Sequence, residues 1–211
     1  MIQPRGIGVI LITLFLAGCG ALSPRPDPSK YFTLSSLPAS ESAYTESRKA
    51  AEIISVGIGP LQFPGYLDRP EIVFRTAQNR LRVSENDRWA EPLDENFSRI
   101  LAQNLSALLG TEKIVPYPWP GSGKPKYQVR IEVLAFETNG AREAQLTARW
   151  LVSDGFNRKP FDLKLSRLVR TAKETSVDSS VAALSETLAD LSREIADAVR
   201  TAEAGKTNEE K

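Results

Sequence analysis

The sequence predicts an α+β domain of two layers, a mostly antiparallel sheet with two helices packed on one face, and two patterns carry that expectation. From Tyr127 to Ser166 apolar and polar residues alternate through three successive strands. After Pro92 and again after Ser176, apolar residues recur at steps of three and four, as on one side of a helix. Neither pattern buries its apolar side alone, so sheet and helices must cover one another.

In chain order the first motif is an export and lipidation signal over 1–18. Arg5 supplies positive charge, Val9 to Leu16 an apolar run, and Leu16-Ala17-Gly18 small residues ahead of Cys19. The run falls well short of the roughly 20 apolar residues that span a bilayer, so cleavage before Cys19 is expected. A thiolate there accepts a diacylglyceryl group and the freed amine a further acyl chain. At about 0.8 kcal/mol per buried methylene, several chains together make a lasting anchor. Gly20 stands where aspartate would signal inner-membrane retention in enteric bacteria, which favours the periplasmic face of a Gram-negative outer membrane.

Residues 19–30 then form a tether in which Pro24, Pro26 and Pro28 suit either an extended spacer or an unstructured leader. A single periplasmic domain is expected over 31–203. It opens with a short strand at Tyr31-Phe32-Thr33-Leu34 and a polar loop from Pro38 to Lys49. The stretch from Thr201 is expected to fray, leaving 204–211 as a polar tail.

Composition removes several classes of function. With 27 basic and 26 acidic residues, the chain has no surplus charge for nucleic acid. It has no histidine and one cysteine, so His-based triads, thiolate zinc sites and internal disulfides are out. No metal or other cofactor is expected.

The most informative stretch is Ile53 to Leu93. Ile54, Val56 and Ile58 alternate as a strand that breaks at Pro60 and again at Pro64-Gly65. A compact loop follows, displaying Phe63, Tyr66 and Leu67 beside Asp68 and Arg69, before Pro70 restarts an extended chain into Ile72-Val73-Phe74. Arg80 to Ser84 reads as a further strand, leading through a charged run to Trp89. Asp68 with Arg69, and Arg88 with Glu91, are read as ion pairs that pin this connection rather than as an acid and a base. With no Gly-x-Ser-x-Gly elbow either, no enzyme is expected.

The helix after Pro92 presents Phe97, Ile100, Leu101, Leu105 and Leu108, with Gly110 placed to stop it. Tyr117, Pro118 and Trp119 then read as an exposed aromatic patch or as a lid over the core. Inward positions are expected at Tyr127, Val129, Ile131 and Val133; at Leu146, Ala148, Trp150 and Val152; and at Phe161, Leu163 and Leu165. The last helix carries the stripe Val177, Val181, Leu184, Leu188, Leu191, Ile195 and Val199, expected to cover the sheet.

Gly57 to Arg75, with the run Phe63-Pro64-x-Tyr66-Leu67-Asp68-Arg69-Pro70-x-Ile72-Val73, followed by Arg88-Trp89-Ala90-Glu91-Pro92-Leu93, resembles the signature of PqiC/YmbA-type auxiliary lipoproteins of ABC-type and MCE transport systems. Tyr31-Phe32-Thr33-Leu34 belongs to the same likeness, which extends over most of the mature chain. The resemblance implies an anchored accessory subunit working beside an MCE-domain protein in envelope lipid transport and so supporting membrane integrity. Phe63, Tyr66, Leu67, Asp68, Arg69, Arg75 and Trp89 are the expected partner-binding residues, aromatics and arginine being favoured at interface centres. The stripe of the last helix leaves a homo-oligomer open. The competing expectation is a periplasmic carrier that holds an acyl chain between helices and sheet.

Cys19→Ser is expected to yield an uncleaved or untethered precursor whose domain still folds. Labelling with a radioactive fatty acid and membrane fractionation check this: an acylated, membrane-bound variant would refute the assignment.

Overall fold

Strand β6 (Tyr127–Asn139) is long enough, at 13 residues, to serve three neighbours. Along one edge it pairs with β7 (Glu143–Asp154), which in turn pairs with β8 (Pro160–Thr171). Along the other it meets β2 (Val56–Gln62) over its first half and β3 (Glu71–Ala77) at its end. Strand β4 (Arg80–Trp89) continues from β3, while the short strands β1 (Lys30–Phe32) and β5 (Ile114–Pro116) add to β4 and β2. These are the eight strands of one sheet in a computed structural model that describes residues 27–38, 40, 54–119, 124–156 and 160–209. Cys19 and the export signal lie outside the described residues.

The long ladders, β3–β4, β6–β7 and β7–β8, are antiparallel, as the alternating pattern predicts. The sheet is nevertheless mixed, because the short pairings β1–β4, β2–β5, β2–β6 and β3–β6 are parallel. Parallel partners come from segments far apart in the chain, and no local periodicity reports them. Strand β4 also runs beyond Ser84, carrying the charged run Glu85 to Arg88 as part of the strand.

Helices α1 (Leu93–Leu109) and α2 (Val177–Glu209) pack on one face. Asp94 and Glu95 stand in the first turn of α1, where carboxylates suit the helix dipole. Gly110 ends it in the left-handed region at φ 66°, and its N–H reaches the Ser106 carbonyl. The stripe of α2 is buried from Val181 to Val199 against β6, β7 and α1. The helix passes Thr201, where fraying was expected, because Glu203 is held by Lys126 Nζ at 2.7 Å and by the Tyr127 hydroxyl at 2.6 Å.

Two buried asparagines on α1 fasten the segment after β1. The Asn96 amide accepts from Leu34 N–H at 3.0 Å and donates to Thr33 Oγ1 and Glu91 Oε1, each at 2.7 Å. Asn104 accepts from Leu37 N–H at 2.8 Å and donates to Ser192 Oγ on α2 at 3.1 Å. Unpaired, such buried amides would cost a few kcal/mol; paired, they join the entering chain to both helices.

Strand β8 corrects one expectation. Lys164 is opposite Trp150, so Lys164, Ser166 and Arg170 face the helices and Leu163, Leu165 and Val169 face outward. A bulge takes Phe161 out of the ladder, and it packs against buried Tyr127 with ring centroids 5.9 Å apart while staying partly exposed. The cause lies in α2, whose apolar stripe is spent on β6 and β7. What it turns to β8 is a polar flank, with Asp190 taking Arg170 at 2.7 Å and Glu194 accepting from Ser166. Ser166 in turn accepts the Trp150 indole N–H at 2.8 Å.

Leu188→Ala empties the middle of the α2 seam, where Leu188 is fully buried, and is expected to cost about 2–5 kcal/mol. Urea unfolding measures this, and a loss below about 1 kcal/mol would show that the seam collapses around the gap.

Candidate functional site

Strand β2 passes through a cis Gly59–Pro60 bond, and after Gln62 the chain folds on itself. Leu67 N–H donates to Pro64 O, and Arg69 N–H to Leu67 O, both at 2.9 Å. Pro70 then gives its carbonyl to Trp89 N–H at 2.7 Å, tying the loop to the end of β4. Between this loop and the Trp89–Asp94 connection lies a cleft of ≈ 560 Å³, with Leu61, Phe63, Leu67 and Trp89 on its apolar side and Asp68, Arg69 and Asp94 on its polar side. A second groove of ≈ 590 Å³ adjoins it at Leu61 and Asp94, between β2 and the outer side of α1.

The loop is held by a carboxylate that sequence reading missed. Glu137, 2% exposed, accepts the Tyr66 hydroxyl at 2.6 Å on one oxygen and Arg75 Nε at 2.6 Å on the other. The first oxygen also accepts Phe136 N–H at 3.1 Å. A buried carboxylate is costly unless paired, and here both side-chain donors come from the segment being pinned. Burial, and then the bond to Glu137, holds the Tyr66 phenol above its ordinary pKa; the same carboxylate raises that of Arg75. In sequence Glu137 is one more polar residue on an alternating strand, 62 and 71 residues from its partners.

The expected partner-binding residues therefore divide. Leu67 and Trp89 are buried, and Phe63 packs edge-on against Phe97 with centroids 5.3 Å apart. Tyr66 and Arg75 are half-buried and committed to Glu137, while Asp68 and Arg69 are exposed at the loop tip. The ion pairs expected within the stretch give way to longer-range ones: Glu91 pairs with Arg99, and Arg88 approaches Glu71 at 3.8 Å.

The aromatic turn contributes both a lid and an exposed ring. Trp119 is half-buried, and its indole N–H donates to Val115 O at 3.1 Å. It lies so close to Gly57 that an added Cβ would come within 2.6 Å of it and 2.5 Å of Pro125, so the lid requires glycine there. Tyr117 sits edge-on to Trp119 and faces solvent at the rim of the second groove.

This arrangement defines a two-layer α+β domain with a braced, charged surface loop. The chain belongs to the family of ABC-type transport auxiliary lipoprotein components, whose model matches residues 32–196. It is 26% identical over 160 residues to the intermembrane transport lipoprotein PqiC of Escherichia coli K12, covering 74% of this chain and 79% of that one. PqiC of Shigella flexneri matches with the same figures. Among solved structures, the fold is similar to a Xanthomonas campestris protein of the DUF330 family model (TM-score 0.65, 13% identity, 86% of this chain and 100% of that one). An uncharacterised protein matches at the same TM-score with 19% identity, over 80% of this chain and 97% of that one. Membership places the chain among membrane-anchored envelope lipoproteins, and among the described residues no helix is long and apolar enough to cross a membrane.

Tyr66 and Tyr127 make the fold sensitive to alkali. A free phenol ionises at an ordinary pKa of 10.0, whereas burial and a neighbouring carboxylate, Glu137 or Glu203, keep these two protonated to higher pH in the folded state. Their contribution is thus fully present below pH 10 and is lost as pH rises through the raised folded values. Tyr66→Phe is expected to cost about 1.5 kcal/mol at neutral pH and to flatten the decline above pH 10. Urea midpoints measured across that range decide, and an unchanged slope would remove Tyr66 as a cause.

Proposed function

We propose that this chain is the accessory, adaptor subunit of an MCE/ABC-type envelope lipid transport system, docking on its MCE-domain protein without catalysis. The observation that carries the reading is the loop itself: exposed Asp68 and Arg69 project from a segment pinned by Glu137, beside a cleft with an apolar side. A preformed tip loses little freedom on binding, so its charged contacts go into recognition. Leu67 and Trp89 support the surface from beneath, and Tyr66 and Arg75 fix its attitude.

In this reading Cys19 carries the acyl chains and anchors the domain at the periplasmic face of the outer membrane, by the Gly20 argument. Family membership and the PqiC relatives support the transport setting. Against the acyl-chain carrier stands the filled interior: Phe97, Phe136, Tyr127, Trp150 and Leu188 occupy the space between helices and sheet. The two clefts beside the loop open to solvent instead.

Arg69→Glu is expected to leave a folded, lipidated protein whose association with the MCE-domain partner is weaker by roughly tenfold or more. Co-purification in mild detergent, followed by native mass spectrometry, reads partner mass, copy number and bound lipid together. Full association of the variant would remove the loop from the interface. Stoichiometric phospholipid on an isolated subunit would replace the adaptor with the carrier.

A further inference from the structure

The outward side of β8 has no counterpart in the adaptor reading. Leu163, Leu165 and Val169 stand on the sheet face turned from the helices, 43–66% exposed, with Leu151 of β7 beside Leu163. Strand β8 ends the sheet, pairing only with β7. The same face carries Arg130, Arg149 and Arg167, while Glu132, the acid beside them, is taken by Arg149 at 2.6 Å. Arg130 and Arg167 are exposed and carry no ion pair among the described residues. A chain whose net charge is only +1 thus sets an apolar stripe within a basic margin.

We propose that the outward face of β7 and β8 rests on an anionic lipid surface, with Leu163 and Leu165 entering the headgroup–acyl boundary and Arg130 and Arg167 meeting lipid phosphates.

Charge, size and tether select a lipid surface over a protein. A second copy presenting this face would set Arg149 and Arg167 against their like, which costs association. A stable protein partner covers about 20 to 30 residues on each side, whereas this stripe has only four apolar members. A bilayer already held nearby needs no such area. From Cys19 to Lys30 the fully extended chain reaches about 35 Å, which keeps the face at an effective concentration on the order of millimolar. Under that condition a few buried apolar side chains and cations at headgroup level suffice for reversible docking.

The inference rests on the anchor at Cys19, and the test separates the two. Lipidation consumes the chain's single cysteine, so Leu163→Cys introduces one thiol for a polarity-sensitive dye. The full-length lipidated protein is reconstituted into vesicles of phosphatidylethanolamine and phosphatidylglycerol that contain brominated acyl chains. Quenching is expected at position 163, weaker at high salt and in phosphatidylcholine alone, and absent from a dye at Glu186→Cys on the exposed side of α2. Arg130→Gln with Arg167→Gln is expected to lower the docked-to-undocked ratio roughly 30-fold. Protein that floats with vesicles unquenched keeps the anchor and refutes the docking face; protein that neither floats nor quenches refutes both. Quenching without stable flotation supports the face and removes the anchor. A blue shift that grows with protein concentration in the absence of lipid marks a second copy and overturns the inference.

Discussion

A carboxylate that cannot reach water must find its donors inside the protein, and Glu137 finds them on the segment that most needs restraint. The loop after β2 has few backbone bonds of its own, and its proline breaks prevent it from joining the sheet. Tyr66 reaches Glu137 from within the loop and Arg75 from the far half of β3, so one buried carboxylate ties the loop to the strand that follows it. Removing either donor leaves the charge short of partners, so the arrangement tends to hold as a unit. Asp68 and Arg69 owe their fixed position to it.

The same economy governs the helices. The α1–α2 seam is mostly apolar, which gives stability without direction. Asn96 and Asn104 add direction, since each has one acceptor and two donor hydrogens to satisfy and a single place where both can be met. They set where the chain between β1 and the helices runs, and hence where a tether from the amino-terminal side enters the domain. At the other end of α2, Glu203 binds Lys126 and Tyr127 and holds a polar turn that would otherwise have no reason to stay helical.

Interior and surface therefore divide their work. The interior between helices and sheet is filled, and the shaped features lie outside it: the cleft at the loop, the groove beside α1 and the stripe on β8. A family of transport auxiliaries suits such a division, since an accessory subunit acts through what it touches. The two proposals give the loop and the β8 face different contacts, a protein at one and a membrane at the other, and neither requires the core to open.

Much of this was legible in residue spacing. The α2 stripe, the α1 face ended by Gly110 and the alternation of β6 and β7 each follow from local geometry, because a helix or strand presents the same side at a fixed period wherever it lies. The loop was legible too, since Pro64 and Pro70 interrupt the strand pattern; the break expected at Pro60 is instead a register shift between Ile58 and Leu61 within β2. Tertiary structure alone decided the parallel pairings of β2 and β3 with β6, because they join segments separated by a helix and other strands. It decided that Glu137 is the clamp, because a carboxylate's burial depends on donors 62 and 71 residues away. It also decided which side of β8 faces the core: alternation specifies two sides, but only the polar flank of α2, with Asp190 and Glu194 in place, determines which of them turns inward.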